Sequence, residues 1–313
     1  MEKSTRLLYF WLGDETLNNY QLTFQVTEIE NGMILREFLR KQQISKAALT
    51  DIKFGGGAIR VNGKDETVRY FLHTGDVVEV IFPEELPSEE MKAENIPLSI
   101  LYEDKDVLVI NKPSNMNSIP SREHPTSSVA NALLYYYKVN DISATVHIVT
   151  RLDRDTSGVM LIAKNRFVHH LFSLQQRQHD INRSYFAIAH GCMSGDSGTI
   201  DAPIGRKQDS IIEREVRADG QQAVTHYEVI KKTNEYTVAR LKLETGRTHQ
   251  IRVHLAYLGH PLVGDDLYGG KRNVISRQAL HSEKITFFHP ILKKELSFLA
   301  EVPEDMVEMI NEN

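Results

Sequence analysis

Cysteine is almost absent from this sequence of 313 residues, which contains only Cys192. One thiol cannot form an intrachain disulfide and cannot build a zinc site by itself. Long apolar runs are also missing: the N-terminal apolar stretch ends after Leu12, and no later one reaches the roughly 18 residues that a membrane helix needs. We therefore expect a cytoplasmic protein with no membrane span and no secretory signal.

Cofactor-binding motifs are missing as well. Neither GxxxxGKS/T nor GxGxxG occurs, so the sequence offers no phosphate loop for a nucleotide cofactor. His249 and His254 are separated by about 140° around a helix and cannot face one metal ion together. We expect neither a metal nor a small-molecule cofactor.

The sequence also lacks an excess of positive charge, since its formal net charge is −5. Taken alone, this value argues against a partner that carries many phosphates. The charge is uneven, however. Acidic residues concentrate at residues 84–94 and at the C-terminus, whereas residues 151–183 contain six basic and three acidic side chains. The sum therefore averages unlike regions and does not exclude nucleic acid.

A segment rich in glutamate and proline divides the chain. Residues 83–97 read PEELPSEEMKAENIP and show almost no apolar periodicity, which is typical of a linker. This pattern predicts a first domain at residues 1–83, a linker at 84–97 and a second domain at 98–313.

The first domain shows an α+β pattern. Apolar residues at helical spacing begin at Ile34, a second helix is predicted over 46–52, Asn62-Gly63 indicates a hairpin, and residues 77–81 form a closing strand. From 33 to 82 this arrangement resembles the S4-like RNA-binding domain. The resemblance implies RNA contacts by Arg36, Lys46 and Arg60. The alternative is a small α+β domain used for packing.

The second domain is predicted to be α+β with a mixed sheet. Helical patterns are few in this domain, and one of them covers residues 165–178. Strand patterns are more numerous and occur at residues 99–102, 107–110, 159–163, 184–189, 223–230 and 236–243.

Two polar segments carry the candidate chemistry. In residues 149–158, Asp153 lies between Arg151 and Arg154, whose charges would keep the carboxylate ionised as a nucleophile. A turn that caps the following strand is the alternative. In residues 243–261, Thr248 is predicted to cap a short helix on which Ile251, Leu255 and Leu258 form the buried stripe.

On the first turn of that helix, His249 and Arg252 share a polar face. A buried guanidinium needs an anion, and Asp153 is the best candidate for its partner.

These segments together resemble the RluA/RluD family of RNA pseudouridine synthases. The likeness rests on RLDRDTSGVMLIAKN at residues 151–165, TGRTHQIRVHLAYLGHPLVGDDLYG at 245–269, and the stretch from Leu280 to Pro290. It implies a mixed, mainly antiparallel central sheet flanked by helices and loops, preceded by the S4-like domain. It also implies cofactor-free isomerisation of uridine: the glycosidic bond breaks, the uracil turns, and the base is rejoined through carbon-5.

The resemblance assigns roles to particular residues. Asp153 would act as nucleophile at the ribose or as a base, Tyr185 would stack on the uracil, and Arg252 would pair with Asp153. Arg151 would replace the flipped base in the RNA stack. Further RNA contacts are implied for Arg154, Thr150, Arg247, His249 and Lys112.

Two departures from the common family pattern concern the target. Thr150 stands where the family commonly has histidine, and Ser114-Asn115 follow Lys112-Pro113 where Ala-Gly is usual. We expect a monomeric enzyme acting on RNA, with ribosomal RNA of the large subunit favoured over tRNA. A catalytically silent RNA-binding or ribosome-assembly factor, and a glycosidase using Asp153 and Asp155, are the alternatives.

Overall fold

The computed structural model describes residues 19–87 and 91–311. The predicted N-terminal extension up to residue 18, part of the predicted linker, and the last two residues lie outside this description. The chain forms two compact units. Of the described residues, the first comprises 19–87, 137–145 and 165–167, and the second comprises 91–136, 146–164 and 168–311. The assignment of residues 1–83, 84–97 and 98–313 to domain, linker and domain stays a prediction.

The elements before the predicted linker are β1 (Gln21–Gln25), a 3-10 helix (Glu28–Glu30), α1 (Leu35–Lys41), α2 (Lys46–Phe54), β2 (Ala58–Val61), β3 (Lys64–Asp65) and β4 (Val77–Ile81). After it follow β5 (Ser99–Glu103), β6 (Val107–Lys112), α3 (Val129–Val139), β7 (His147–Ile148), β8 (Ser157–Ala163), α4 (Arg166–Arg177), β9 (Asn182–His190), β10 (Ser197–Asp201), β11 (Ile204–Arg206), β12 (Arg214–Val216), β13 (Val224–Lys232) and β14 (Tyr236–Leu243). The chain then forms α5 (Gln250–Tyr257), a second 3-10 helix (Asp266–Tyr268), β15 (Leu280–His289), β16 (Lys294–Leu299) and α6 (Glu304–Asn311).

The first unit contains an antiparallel sheet in the order β1-β4-β2-β3. Ser45 caps α2 by accepting a hydrogen bond from the Ala48 backbone N–H at 3.1 Å. Asn62 and Gly63 both have positive φ, as a two-residue hairpin turn requires. These observations confirm the predicted helices, hairpin and closing strand. Strand β1, which pairs along β4, was missed by the sequence patterns.

The second unit is built on one large sheet whose main path runs β10-β13-β14-β9-β15-β8-β6-β5. Strand β16 also pairs with β15, and β7 also pairs with β8. Neighbouring strands are antiparallel except for β8 and β15, which are parallel. The predicted mixed, mainly antiparallel sheet is confirmed. Strand β8 is buried along its whole length, as the apolar run in the sequence predicts.

The register of this sheet brings three distant segments together. Ser282 on β15 pairs with Gly158 on β8 on one side and with Tyr185 on β9 on the other. Tyr185 in turn pairs with Leu241 near the end of β14. The loop before β8, the start of β9 and the loop after β14 therefore meet at one place.

Two details of α5 differ from the prediction. His249, not Thr248, occupies the N-cap position, because the chain turns there through a left-handed backbone conformation. Ile251 and Leu255 are buried as expected, but Leu258 lies beyond the end of the helix and is 39% exposed.

Within residues 19–87 and 91–311, no helix has the length and apolar character needed to cross a bilayer.

Candidate active site

The site lies in an open cleft of about 1090 Å³ in the second unit. The loop before β8, the start of β9 and the loop between β14 and α5 all contribute to its lining. Seven arginines and four acidic residues line it, so the cleft is locally basic although the whole chain is acidic. This balance suits a polyanion.

Asp153 lies on the cleft wall with its side chain 27% exposed. Its loop is anchored on both sides. Ser118 Oγ donates to the Leu152 carbonyl at 2.7 Å and accepts the Leu152 N–H at 3.1 Å, and the Thr156 N–H donates to the Asp153 carbonyl. The backbone holds the carboxylate at a fixed position while leaving it open to a ligand.

Lys112 is one of these anchors, and its predicted role as an RNA contact is wrong. Its side chain is fully buried, and Nζ donates to the carbonyls of Pro113, Met116 and Arg154 at 2.8, 2.8 and 3.0 Å. Burial lowers the pKa of Lys112 to about 7, against the opposing charges of Asp153 and Asp155. Lys112 therefore positions the loop and does not reach RNA.

Arg252 binds two carboxylates. Its Nε and Nη2 donate to both oxygens of the buried Asp265 at 2.7 and 2.8 Å, and Nη1 lies 3.3 Å from Asp153 Oδ2. The predicted contact with Asp153 is present, but Asp265 is the principal partner. Burial tends to lower the pKa of Arg252, and the hydrogen bonds and charge of Asp265 outweigh it and hold that pKa above the ordinary value.

Sequence reasoning missed Asp265, although its segment, GDDLYG, was already part of the motif. Nothing in the spacing tells which of Asp265 and Asp266 points inward. Only the turn into the second 3-10 helix decides that Asp265 is buried and Asp266 exposed.

His249 lies beside Asp153, with Nε2 3.9 Å from Asp153 Oδ2. Its Nδ1 is 2.7 Å from the Tyr268 hydroxyl, which also accepts the Arg214 backbone N–H at 3.0 Å. The Tyr268 hydroxyl and the Asp153 carboxylate therefore lie at opposite nitrogens of the His249 ring. Burial raises the pKa of Tyr268 to about 12 and lowers the pKa of His249, which favours the neutral forms of both side chains.

Tyr185 is 5% exposed and lines a small recess of about 80 Å³. Asp153 and Arg252 line the same recess. The structure therefore brings together the three residues that the resemblance singled out. Arg183, two residues before Tyr185, lines both the recess and the main cleft and was not among the predicted site residues.

The remaining predicted contacts divide into exposed and buried side chains. Arg151, Arg154 and Arg247 are exposed and line the cleft. Thr150 is 2% exposed, and its hydroxyl accepts the Leu161 backbone N–H at 2.9 Å. The predicted contact of the Thr150 side chain with RNA is wrong because that hydroxyl is engaged within the sheet.

The basic residues predicted in the S4-like region belong to the first unit. Arg36 and Lys46 are exposed, whereas Arg60 forms an ion pair with Asp65 at 3.0 Å. That these three residues contact RNA stays a prediction.

One group in the described residues has the composition of a metal site, namely Asp104, Asp106 and His289. His289 Nδ1 accepts the backbone N–H groups of Ile291 and Leu292, so its proton is on Nε2, 3.0 Å from Asp104 Oδ2. Neither ring nitrogen then has a free lone pair for a cation. Burial raises the pKa of Asp104, but hydrogen bonds from His289 and Tyr102 outweigh it and lower that pKa to about 2.

Comparison with known proteins agrees with this geometry. Residues 106–257 match the family model described as RNA pseudouridylate synthase. The chain is 55% identical over 278 residues to the uncharacterized RNA pseudouridine synthase YjbO of Bacillus subtilis, covering 89% of this chain and 98% of that protein. It is 43% identical over 274 residues to ribosomal large subunit pseudouridine synthase D of Vibrio cholerae, covering 81% and 82%.

Among solved structures, human RNA pseudouridylate synthase domain containing 4 superimposes with a TM-score of 0.57 at 24% identity. The match covers 68% of this chain and 92% of that one, and it supports the fold.

Fold, site and relatives define the class: this is an isomerase that converts uridine to pseudouridine in RNA. The chain belongs to the RNA pseudouridine synthase family, within its RluA/RluD group.

Proposed function

We propose that the protein forms pseudouridine in ribosomal RNA of the large subunit. The support for this target is the 43% identity, over most of both chains, to relatives named ribosomal large subunit pseudouridine synthase D. The basic cleft suits a structured RNA. The alternative target is tRNA, and mapping pseudouridine in cellular RNA distinguishes the two.

The observation that carries the mechanism is the placement of Asp153. Its carboxylate lines the recess beside the Tyr185 ring, with one arm of Arg252 at 3.3 Å. A uridine flipped out of the RNA would place its base on Tyr185 and its ribose beside Asp153. Exposed Arg151, next to Asp153, would fill the gap left in the stack.

Asp153 then acts on the ribose in one of two ways. As a nucleophile it forms a bond to C1′ while the C1′–N1 bond breaks, and the bond to Asp153 breaks when C5 attacks C1′. As a base it removes the C2′ proton of the ribose while the C1′–N1 bond breaks, which gives a glycal-like intermediate, and it returns the proton to C2′ when the C1′–C5 bond forms. In both cases C5 loses its proton at the end, and N1 gains one.

The test compares pseudouridine maps of cellular RNA with and without the protein. We expect one or more positions in the large ribosomal RNA to lose modification, and wild-type protein to restore them. Asp153→Asn removes the reacting oxygen while keeping the side-chain shape, so it should lower the rate by at least about 10³-fold.

Asp155→Asn is the matched control, because this neighbouring carboxylate lies beside Arg154 and does not bond to Arg252. It should retain activity within about tenfold. Equal loss in both variants would support a paired-carboxylate mechanism and contradict the role of Asp153. Loss of tRNA modification alone would overturn the ribosomal target.

We further propose that the first unit binds RNA through exposed residues that include Arg36 and Lys46. We also propose that the enzyme acts as a cytoplasmic monomer. Sedimentation of the active protein at assay concentration tests the oligomeric state.

A further inference from the structure

Arg183 has an unusual environment for an arginine. Its Nε atom is buried and has no hydrogen-bond acceptor. In the part of the chain that the structure describes, no carboxylate or carbonyl oxygen bonds to its guanidinium. Arg252 is the other arginine of the cleft that is not exposed, and its charge is matched by two hydrogen bonds to Asp265 and by Asp153 at 3.3 Å. Arg183 therefore leaves a half-buried positive charge unmatched within the protein.

Gly246 determines how closely this guanidinium approaches the loop between β14 and α5. A Cβ atom at position 246 would lie 3.1 Å from Arg183 Nη2 and 3.2 Å from Nη1. These distances are shorter than ordinary van der Waals contact. The missing side chain thus allows the guanidinium to lie against the backbone at the cleft wall.

A half-buried cation without a partner costs free energy unless a ligand supplies the anion. The guanidinium presents a planar set of donors that matches a phosphate. RNA brings one phosphodiester per nucleotide, and RNA is the substrate of this enzyme class. The unmatched charge of Arg183 is therefore complementary to the backbone of the substrate.

The strand geometry indicates which phosphate is within reach. Residues two apart on a strand point to the same face, about 6 to 7 Å from each other. Arg183 and Tyr185 are related in this way on β9, and both line the recess that contains Asp153. A nucleotide with its base on Tyr185 has its own backbone near Arg183.

We propose that Arg183 forms a phosphate subsite of the active site and binds a phosphodiester that flanks the target uridine. The proposal deepens the proposed function and rests on its placement of the uridine at Asp153 and Tyr185. The guanidinium anchors the flipped nucleotide at its backbone, while Tyr185 holds the base.

The test changes the RNA and the protein separately. The substrate is a short segment of the cellular RNA that wild type modifies, prepared with a neutral methylphosphonate at one or the other phosphate flanking the uridine. For one of these positions, we expect the kcat/KM of wild type to fall about 10- to 100-fold, as for loss of a charge-assisted hydrogen bond. Arg183→Gln should show a similar loss on unmodified RNA and little further loss on the methylphosphonate.

The salt dependence of binding gives a readout that a merely structural role would not change. Removing one phosphate contact should reduce the slope of log affinity against log salt by about one. Arg206→Gln is the matched control, because it removes the same charge from an exposed side chain that lies outside the cleft. Its effect on kcat/KM should be about threefold or less.

Gly246→Ala should displace the guanidinium and lower kcat/KM, and combining it with Arg183→Gln should cause no additional loss. Equal effects of Arg206→Gln and Arg183→Gln would overturn the proposal. So would a methylphosphonate penalty that is the same for wild type and Arg183→Gln. If the modified uridine lies in tRNA, the ribosomal target fails, and this test proceeds unchanged on that tRNA segment.

Discussion

Lys112 and Thr150 belong to the segments that form the site, yet both side chains are buried. Their polar atoms bond to the backbone that carries Asp153 or to the adjoining strand β8. Asp153 and His249 lie close by and keep access to the cleft. At the scale of single residues, burial thus separates the groups that meet RNA from those that hold them in position.

The buried ammonium of Lys112 should make stability depend on pH. Its pKa is about 7 in the folded protein, against 10.5 as the ordinary value. Between these values the unfolded chain binds a proton that the folded chain has lost, so stability rises with pH. The expected slope is about 1.4 kcal/mol per pH unit, and it should be absent in Lys112→Met. Urea unfolding of both proteins from pH 7 to 9.5 measures this difference.

Lys242→Met, at an exposed position on β14, is the control and should keep the wild-type slope. Lys112→Met should also be less stable than wild type by at least about 2 kcal/mol at pH 7, since three carbonyls lose their donor. Parallel pH curves for wild type and Lys112→Met would contradict the assignment of a depressed pKa.

Strands β8 and β15 form the parallel pair that positions the loop of Asp153. They approach each other at Gly158, where φ is +116° and a Cβ atom would lie 2.2 Å from the Ser282 carbonyl oxygen. Glycine at this position is therefore a requirement of the contact between two elements. Helix α5 contributes the second half of the site by directing Arg252 toward Asp265 and Asp153.

Gly158→Ala should separate β8 from β15. We expect a loss of about 3 to 5 kcal/mol in the free energy of unfolding, from backbone strain and the lost contact. Gly259→Ala is the matched control, because Gly259 also has positive φ but a Cβ there would meet nothing within 4 Å. It should cost about 1 to 2 kcal/mol. Chemical denaturation measures both losses. Equal losses for the two variants would show that the close contact between Gly158 and Ser282 does not contribute to stability.

At the scale of the whole molecule, the boundary of the first unit is not a single cut in the sequence. Residues 137–145 and 165–167 belong to it although they follow the start of the second unit. Within this unit the rings of Phe82 and Phe167 lie 5.2 Å apart, and Phe167 is 6% exposed. Deleting residues 1–83 therefore divides the unit.

We expect the deleted protein to expose Phe167 and to unfold about 5 to 10 °C below the full chain, because apolar contacts are lost. Thermal denaturation and dye binding to exposed apolar surface measure the effect. Replacing Phe167 by Ser in the deleted protein should reduce dye binding. An unchanged melting temperature would indicate that the remainder of the chain folds independently of residues 1–83.

The net charge of the whole molecule does not describe the charge at the site where RNA would bind. The net value of −5 coexists with a cleft lined by seven arginines and four acidic residues. Electrostatic attraction falls off with distance in salt, so the local balance matters more to RNA than the total.

Much of the fold and part of the site could be predicted from the sequence. The α+β class, the hairpin at Asn62-Gly63, helices α2 and α4, and strands β4, β5, β6, β8, β9, β13 and β14 follow from apolar spacing and turn residues, which are local properties of the chain. The segment around Asp153, with Tyr185 and Arg252, could also be identified from the sequence, because its order of residues resembles that of the family.

Only the tertiary structure decided which of those residues meet. Asp265 became the principal partner of Arg252, Lys112 and Thr150 proved to be buried, and Arg183 proved to lack a partner. The physical reason is that burial and pairing depend on the register of β8, β9 and β15, which joins residues roughly a hundred positions apart in the sequence. Local spacing determines which elements form, and the packing of those elements determines which charges are satisfied and which remain for RNA.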